Sequence, residues 1–217
     1  DGDWVVFDQL DFAGPVSQLS DLYAHHLARN ATVRLTHGAR LSGPDVSPDR
    51  TLIAVVASAL GETTLEIRRL EHGPDGTPRV ASTPFLRVAR PGCQIASPRW
   101  SPDGQVIAAV LHCVGSLPEV VVINPADDQV IPIAPAPAAR DITPAWMPDG
   151  SRLVFASDRE GLEFRLYTVA WKPGSTDPVE PPRLLLRAPG GAYAPDISPS
   201  GTDVVFLSAT GDGTDVF

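Results

Sequence analysis

Four segments of this chain superpose without gaps: Gly43 to Arg50 (GPDVSPDR), Ser97 to Gly104 (SPRWSPDG), Thr143 to Gly150 (TPAWMPDG) and Ala194 to Gly201 (APDISPSG). Each runs Pro, any residue, a large apolar residue, then a Ser-Pro-Asp-Gly turn or a variant of it. The residues that open the turns, at 47, 101, 147 and 198, are 54, 46 and 51 residues apart. A four-stranded β-propeller blade uses about that much chain, and no single copy of such a unit can bury its own apolar face. The period therefore predicts an all-β fold of stacked repeats.

The turn residues have separable jobs. Pro48, Pro102, Pro148 and Pro199 preset φ near −65° at the second position. Asp49, Asp103 and Asp149 at the third position can accept local backbone hydrogen bonds, and Gly104, Gly150 and Gly201 at the fourth accept positive φ. Ser47, Ser101 and Ser198 open three of the turns, and Met147 opens the other. This chemistry predicts a type I turn followed by a bulge, joining two antiparallel strands.

After each turn comes a nearly continuous apolar run: Thr51 to Ser58, Gln105 to Cys113, Ser151 to Ser157 and Thr202 to Ser208. Such runs read as strands buried on both faces. Two further strands follow in each complete unit: LEIRRL and RVAST, then EVVVINP and QVIPIA, then FRLYTVA and RLLLRA. The blade is thus expected to hold four antiparallel strands, A to D, with the turn between A and B.

At the amino end, Trp4 to Phe7, Asp21 to Leu27 and Thr32 to Thr36 read as strands B, C and D with no turn motif before them. At the carboxyl end, Tyr193 to Ile197 and Asp203 to Ser208 read as A and B, and Asp215 to Phe217 as the start of C. Both ends supply a strand B, so closing the ring from the two termini would duplicate it. The expected organisation is a single propeller region over 1–217, divided as 1–37 (partial blade), 38–90, 91–136, 137–188 and 189–217 (partial blade). Three complete blades plus two partial ones point to a fragment of a propeller of six to eight blades.

Composition narrows the function. The 23 Pro and 18 Gly spread along the chain bound nearly every apolar run, as an all-β fold requires. A formal net charge of −9, with basic residues scattered singly or in pairs, argues against nucleic acid. No apolar run is long enough to cross a membrane, and Asp1 to Asp8 lack the basic and apolar regions of a signal peptide.

At the Pro-x-Trp-Ser-Pro-Asp-Gly turn with its following strand, and at Leu22 to Leu41 with its Arg34-Leu35-Thr36, the chain resembles TolB-type propeller repeats over nearly its whole length. The departures are Arg50 for Gly, Met147 for Ser, Ser200 for Asp, and a turn at Arg29 to Thr32 without Gly, where Asn30 can take the left-handed conformation. The resemblance implies a periplasmic or extracellular propeller that binds protein or peptide partners as a scaffold. It equally allows the substrate-gating propeller of a prolyl-oligopeptidase-like serine peptidase whose hydrolase domain is absent from this chain. Fold alone does not choose between them.

No Gly-x-Ser-x-Gly elbow occurs, so no catalytic residue and no cofactor is assigned to this chain. Adjacent His25 and His26 face opposite sides of a strand and make a poor metal chelate, and Gly211 to Asp215 lacks the spaced carboxylates of a calcium loop. Folding the hairpin about Ser101 to Gly104 sets Cys93 opposite residue 112 or 113, which leaves a Cys93–Cys113 disulfide and two free thiols both open. Arg40 and Arg140 share an offset of seven residues before turn positions 47 and 147. They are candidates for a positive partner-binding rim suited to a carboxylate-bearing partner, with Gln94 and Tyr193 nearby.

Overall fold

The computed structural model describes residues 3–12, 18–175 and 179–217, and among them every regular element is a β-strand. The strands form five antiparallel sheets in two compact units, Asp1–Pro91 and Gly92–Phe217.

In the first unit, β1 (Trp4–Phe12), β2 (Gln18–His26) and β3 (Ala31–Arg34) form a sheet in that order. β1 is longer than the expected Trp4 to Phe7 because it pairs with β2 from Trp4↔His26 to Phe12↔Gln18. The second sheet holds β4 (Leu41–Val46), β5 (Leu52–Ala59) and β6 (Glu62–His72), with β7 (Pro78–Val80) and β8 (Leu86–Val88) both paired to β6. The expected fourth strand RVAST is therefore split. Arg68 from β6 donates to the Ala81 and Ser82 carbonyls, at 3.2 and 2.9 Å, and holds the chain out of the ladder. Buried Glu66 accepts from Arg68 (2.6 Å) and from Arg87 on β8 (2.8 Å), so the cluster is charge-compensated.

In the second unit, β9 (Cys93–Trp100), β10 (Ile107–Cys113), β11 (Glu119–Asn124) and β12 (Gln129–Pro132) form one four-stranded sheet. β13 (Asp141–Trp146), β14 (Arg152–Ser157), β15 (Arg165–Ala170) and β16 (Arg183–Leu186) form another. β17 (Tyr193–Ile197), β18 (Val204–Thr210) and β19 (Gly213–Val216) complete the unit with three strands. Ala108, Val120, Val122 and Ile133 of one sheet pack against Trp146, Leu153, Phe155, Tyr167 and Val169 of the next, so the core lies between neighbouring sheets. The run on β18 is not buried on both faces as expected: Val205 is 50% exposed, because only one face of this sheet is covered by another in the unit.

The four turns behave as their chemistry dictates. The fourth residue donates to the first carbonyl at 2.8 Å in each: Arg50 to Ser47, Gly104 to Ser101, Gly150 to Met147 and Gly201 to Ser198. All four fourth positions have positive φ, including Arg50 at 61°. Asp49 accepts from the Ser47 hydroxyl and the Thr51 N–H, Asp103 from Ser101 and Gln105, and Asp149 from Ser151. These bonds hold the Asp49 and Asp149 carboxyls below the ordinary range, led by the Ser47 hydroxyl and the Ser151 N–H respectively. Ser200 substitutes by hydroxyl contacts to Ser198 and Thr202. Met147 cannot hydrogen-bond this way and instead joins the apolar cluster against the last sheet.

Every strand that precedes a turn carries a bulge. Gly43, Ser97, Thr143 and Ala194, each just before the first proline of its repeat, have φ of 58°, 50°, 50° and 49°, and the pairing register shifts there. Proline brings no N–H to the ladder, so a bulge is how a strand interior tolerates it. The freed N–H of Gly43 donates to Asp8 Oδ1 on β1 and that of Ala194 to Thr143 Oγ1 on β13, both at 3.0 Å. These two bulges thereby fasten one sheet to its neighbour.

Candidate functional site

Each sheet after the first offers two ends: one with the A–B turn, the other with the B–C connection and the start of the A strand. In the second unit the A–B turns lie side by side. A Cβ placed on Gly150 would sit 3.7 Å from the Pro102 ring, and one on Gly201 would sit 3.6 Å from Met147. Their polar groups are satisfied within the turns.

At the opposite end, sheets are joined by backbone bonds of one type. The residue before a third strand accepts from the start of the next sheet: Pro118 from the Asp141 N–H (2.9 Å) and Phe164 from the Ala192 N–H (2.8 Å). Arg159 adds a side-chain tie, donating to both oxygens of Asp141 (3.0 and 2.9 Å) and to the Ala134 carbonyl (3.4 Å). Its guanidinium also lies over the Phe155 and Tyr167 rings. Burial raises the Asp141 carboxyl above its ordinary value and outweighs the opposing pull of Ser157 and Arg159.

The rim candidates meet different fates. Arg140 is exposed, but its Nε donates to Asp158 Oδ2 at 2.6 Å, its backbone N–H donates to Asp158 Oδ1, and its guanidinium covers the Phe164 ring. Its charge is paired with Asp158. Arg40, in the first unit, is exposed with φ of 55°, and its carbonyl accepts from the Ser58 N–H. Gln94 is exposed and pairs with His112 across β9 and β10. The Tyr193 hydroxyl shares a hydrogen bond with Thr214 (3.0 Å).

Cys93 and Cys113 are directly paired across β9 and β10 and are joined by a disulfide. The bridge closes the end of the hairpin farthest from the Ser101 to Gly104 turn. His25 meets Thr32, whereas buried His26 stacks edge-on with Trp4 at 4.8 Å, so the adjacent pair diverges. No group of three or more metal-ligating side chains gathers among the described residues.

Asp21 of β2 was not legible as a key residue. It is fully buried and accepts from Arg34 Nη2, Thr36 Oγ1 and the N–H groups of Gly38 and Ala39, all within 2.9 Å. Burial raises its pKa, but these hydrogen bonds prevail and bring it to about 2. The Arg34-Leu35-Thr36 motif is thus the donor half of a clamp that shapes the loop into β4. Also in the first unit, a groove of about 890 Å³ is lined by Trp4, His26, Arg29, Arg50, His72 and Asp75, among others.

The family model described as the TolB beta propeller domain matches residues 28–217. TolB from Acinetobacter baumannii superposes with a TM-score of 0.73 at 19% identity, covering 99% of this chain and 50% of that one. A Mycobacterium tuberculosis puromycin-hydrolyzing peptidase gives 0.60 at 16% identity, over 92% of this chain and 31% of that one. A 77-residue stretch is 34% identical to the "Uncharacterized peptidase YuxL" of Bacillus subtilis (strain 168), covering 36% of this chain and 11% of that protein. The chain thus spans half the length of that TolB, and the matched stretch about a tenth of that peptidase. The turns, the five antiparallel sheets and the family match together place this chain in the TolB beta propeller domain family.

Proposed function

We propose that this chain is a non-catalytic, periplasmic or extracellular β-propeller module that serves as a rigid platform for a protein partner. The observation that carries this reading is where its polar groups go. Asp21, Asp49, Asp103, Asp141, Asp149 and Asp158 are all bound to groups of the fold itself, so they brace loops and leave those loops' outer surfaces for contact. The disulfide suits an oxidising compartment. The likeness to TolB supports the same setting. We read the two three-stranded sheets as blades completed by strands outside these residues, within a larger propeller.

A second reading is favoured by the local identity to a peptidase and the likeness to a puromycin-hydrolyzing one. On it, the propeller gates substrate access to a hydrolase domain in the same polypeptide. One experiment separates the two: the full-length gene product, with and without residues 1–217, is assayed for hydrolysis of prolyl p-nitroanilide substrates of increasing length. Turnover whose size limit is relaxed by the deletion supports gating. Absence of turnover, together with loss of a co-purifying and identified protein partner on deletion, supports the platform.

A further inference from the structure

We infer that the B–C end of the second unit is the docking face, and that its partner is a protein segment carrying aliphatic side chains flanked by basic residues. The inference rests on the platform reading and gives the partner a chemistry.

Two of the three B–C connections of the second unit carry aliphatic residues with almost no cover at their tips. Val114 is 91% exposed next to Gly115, and Leu162 is 94% exposed next to Gly161, with Leu117 42% exposed beside the first. A lone exposed aliphatic residue needs no explanation. Here the same hairpin position is occupied in this way in two neighbouring sheets, and in the first unit the corresponding tip carries Leu60, 100% exposed. The A–B turns 101–104, 147–150 and 198–201 at the other end carry no exposed large hydrophobic residue. The two ends therefore differ in kind, although tight turns at both would favour polar residues.

The tips are also held in place. Cys113, just before Val114, is bridged to Cys93, and the Ser116 N–H donates to the Cys113 carbonyl at 3.1 Å. Leu162 follows Gly161, whose N–H donates to the Asp158 carbonyl (3.0 Å), and precedes the Phe164 carbonyl that ties to Ala192. Side chains presented on braced loops lose little freedom on binding.

Charge selects the partner's flanks. At this end, Arg140 pairs with Asp158, Arg159 with Asp141, and Arg165 and Arg187 with Glu160. Glu119, Glu163, Asp212 and Asp215 lie at the same end and form no ion pair with an arginine among the described residues, so the surplus around the apolar tips is negative. This reverses the expectation of a positive rim for a carboxylate-bearing partner. An aliphatic segment with Lys or Arg at its flanks matches both features.

The test is isothermal titration of the purified chain with three synthetic peptides: Lys-flanked leucines, Lys-flanked serines and Glu-flanked leucines. The Lys-flanked leucine peptide is expected to bind, and the V114S/L162S double variant to weaken it by about tenfold or more. The L184S/L185S variant, which removes exposed leucines from the outer strand β16, is expected to bind as wild type, and circular dichroism checks the fold of both variants. Equal binding of the Lys-flanked serine and leucine peptides would overturn the inference, because it would reduce the effect to the net charge. Wild-type affinity in V114S/L162S, or no binding of the Lys-flanked leucine peptide, would also overturn it. None of these outcomes touches the platform reading, which the deletion and co-purification experiment decides separately.

Discussion

The indole Nε1 of Trp146 donates a 3.0 Å hydrogen bond to the carbonyl of Arg99, the residue before Trp100 in the preceding repeat. The large apolar position of the repeat thus joins two sheets by a hydrogen bond as well as by packing, since the Trp146 ring lies in the core cluster shared between them. Trp146→Phe keeps most of the apolar area but leaves the Arg99 carbonyl without this donor. It is expected to cost about 1–3 kcal/mol, and Trp146→Ala about 3–5 kcal/mol, in urea unfolding of the chain. Equal stability of wild type and Trp146→Phe would show that the bond contributes nothing net.

What could be read from the sequence was the local chemistry. The turns at Ser47, Ser101, Met147 and Ser198 close through bonds spanning only a few residues, and counting outward from one turn sets Cys93 opposite residue 112 or 113, a choice that only the bulged register of β9 and β10 decides. Asp21 and Arg159 escaped because their partners sit in other loops or in a neighbouring sheet, which no local pattern encodes. The split of the outer strand into β7 and β8 escaped for the same reason, since it depends on Arg68 reaching carbonyls more than ten residues away. The bulges had a visible signal, a proline within each strand that precedes a turn, but their positive φ before that proline did not. Val114 and Leu162 lie outside the apolar runs and strands read from the sequence, and their exposure becomes visible only in the structure.

Acid sensitivity is expected from Asp21. Its folded pKa of about 2 lies below the ordinary 3.8, so its contribution is fully present above pH 3.8 and is lost as pH falls toward 2. The shift corresponds to stability on the order of 2 kcal/mol. Asp21→Asn is expected to be less stable than wild type at pH 6, with the gap narrowing between pH 4 and 2 in unfolding curves taken across that range. A gap that stays constant over the range would place the role of Asp21 in shape and packing instead of charge.

The Cys93–Cys113 bridge joins residues 20 apart in sequence. Constraining a loop of that size in the unfolded chain is worth about 3 kcal/mol in the chain-entropy model. The C93S/C113S variant is expected to lose stability of that order in urea, and reduction of the wild type to lower its midpoint in parallel. A variant as stable as the oxidised protein would mean that native pairing of β9 with β10 needs no covalent help.

Gly190 marks a very close backbone approach. With φ of +84° it lies where a Cβ would sit 2.1 Å from the Ala209 carbonyl oxygen and 3.1 Å from its carbon, both backbone atoms that cannot swing aside. The same two residues are joined by a hydrogen bond from the Ala209 N–H to the Gly190 carbonyl at 3.3 Å, so separating them breaks the entry into the last sheet. Gly211, by contrast, would place a Cβ in open space. Gly190→Ala is therefore expected to destabilise the chain by about 2–5 kcal/mol, combining positive-φ strain with the backbone clash, while Gly211→Ala changes stability by less than about 0.5 kcal/mol. Thermal and urea unfolding of the two variants side by side read this contrast directly. Near-equal midpoints would show that the chain can shift at Gly190 without losing the sheet formed by β17, β18 and β19.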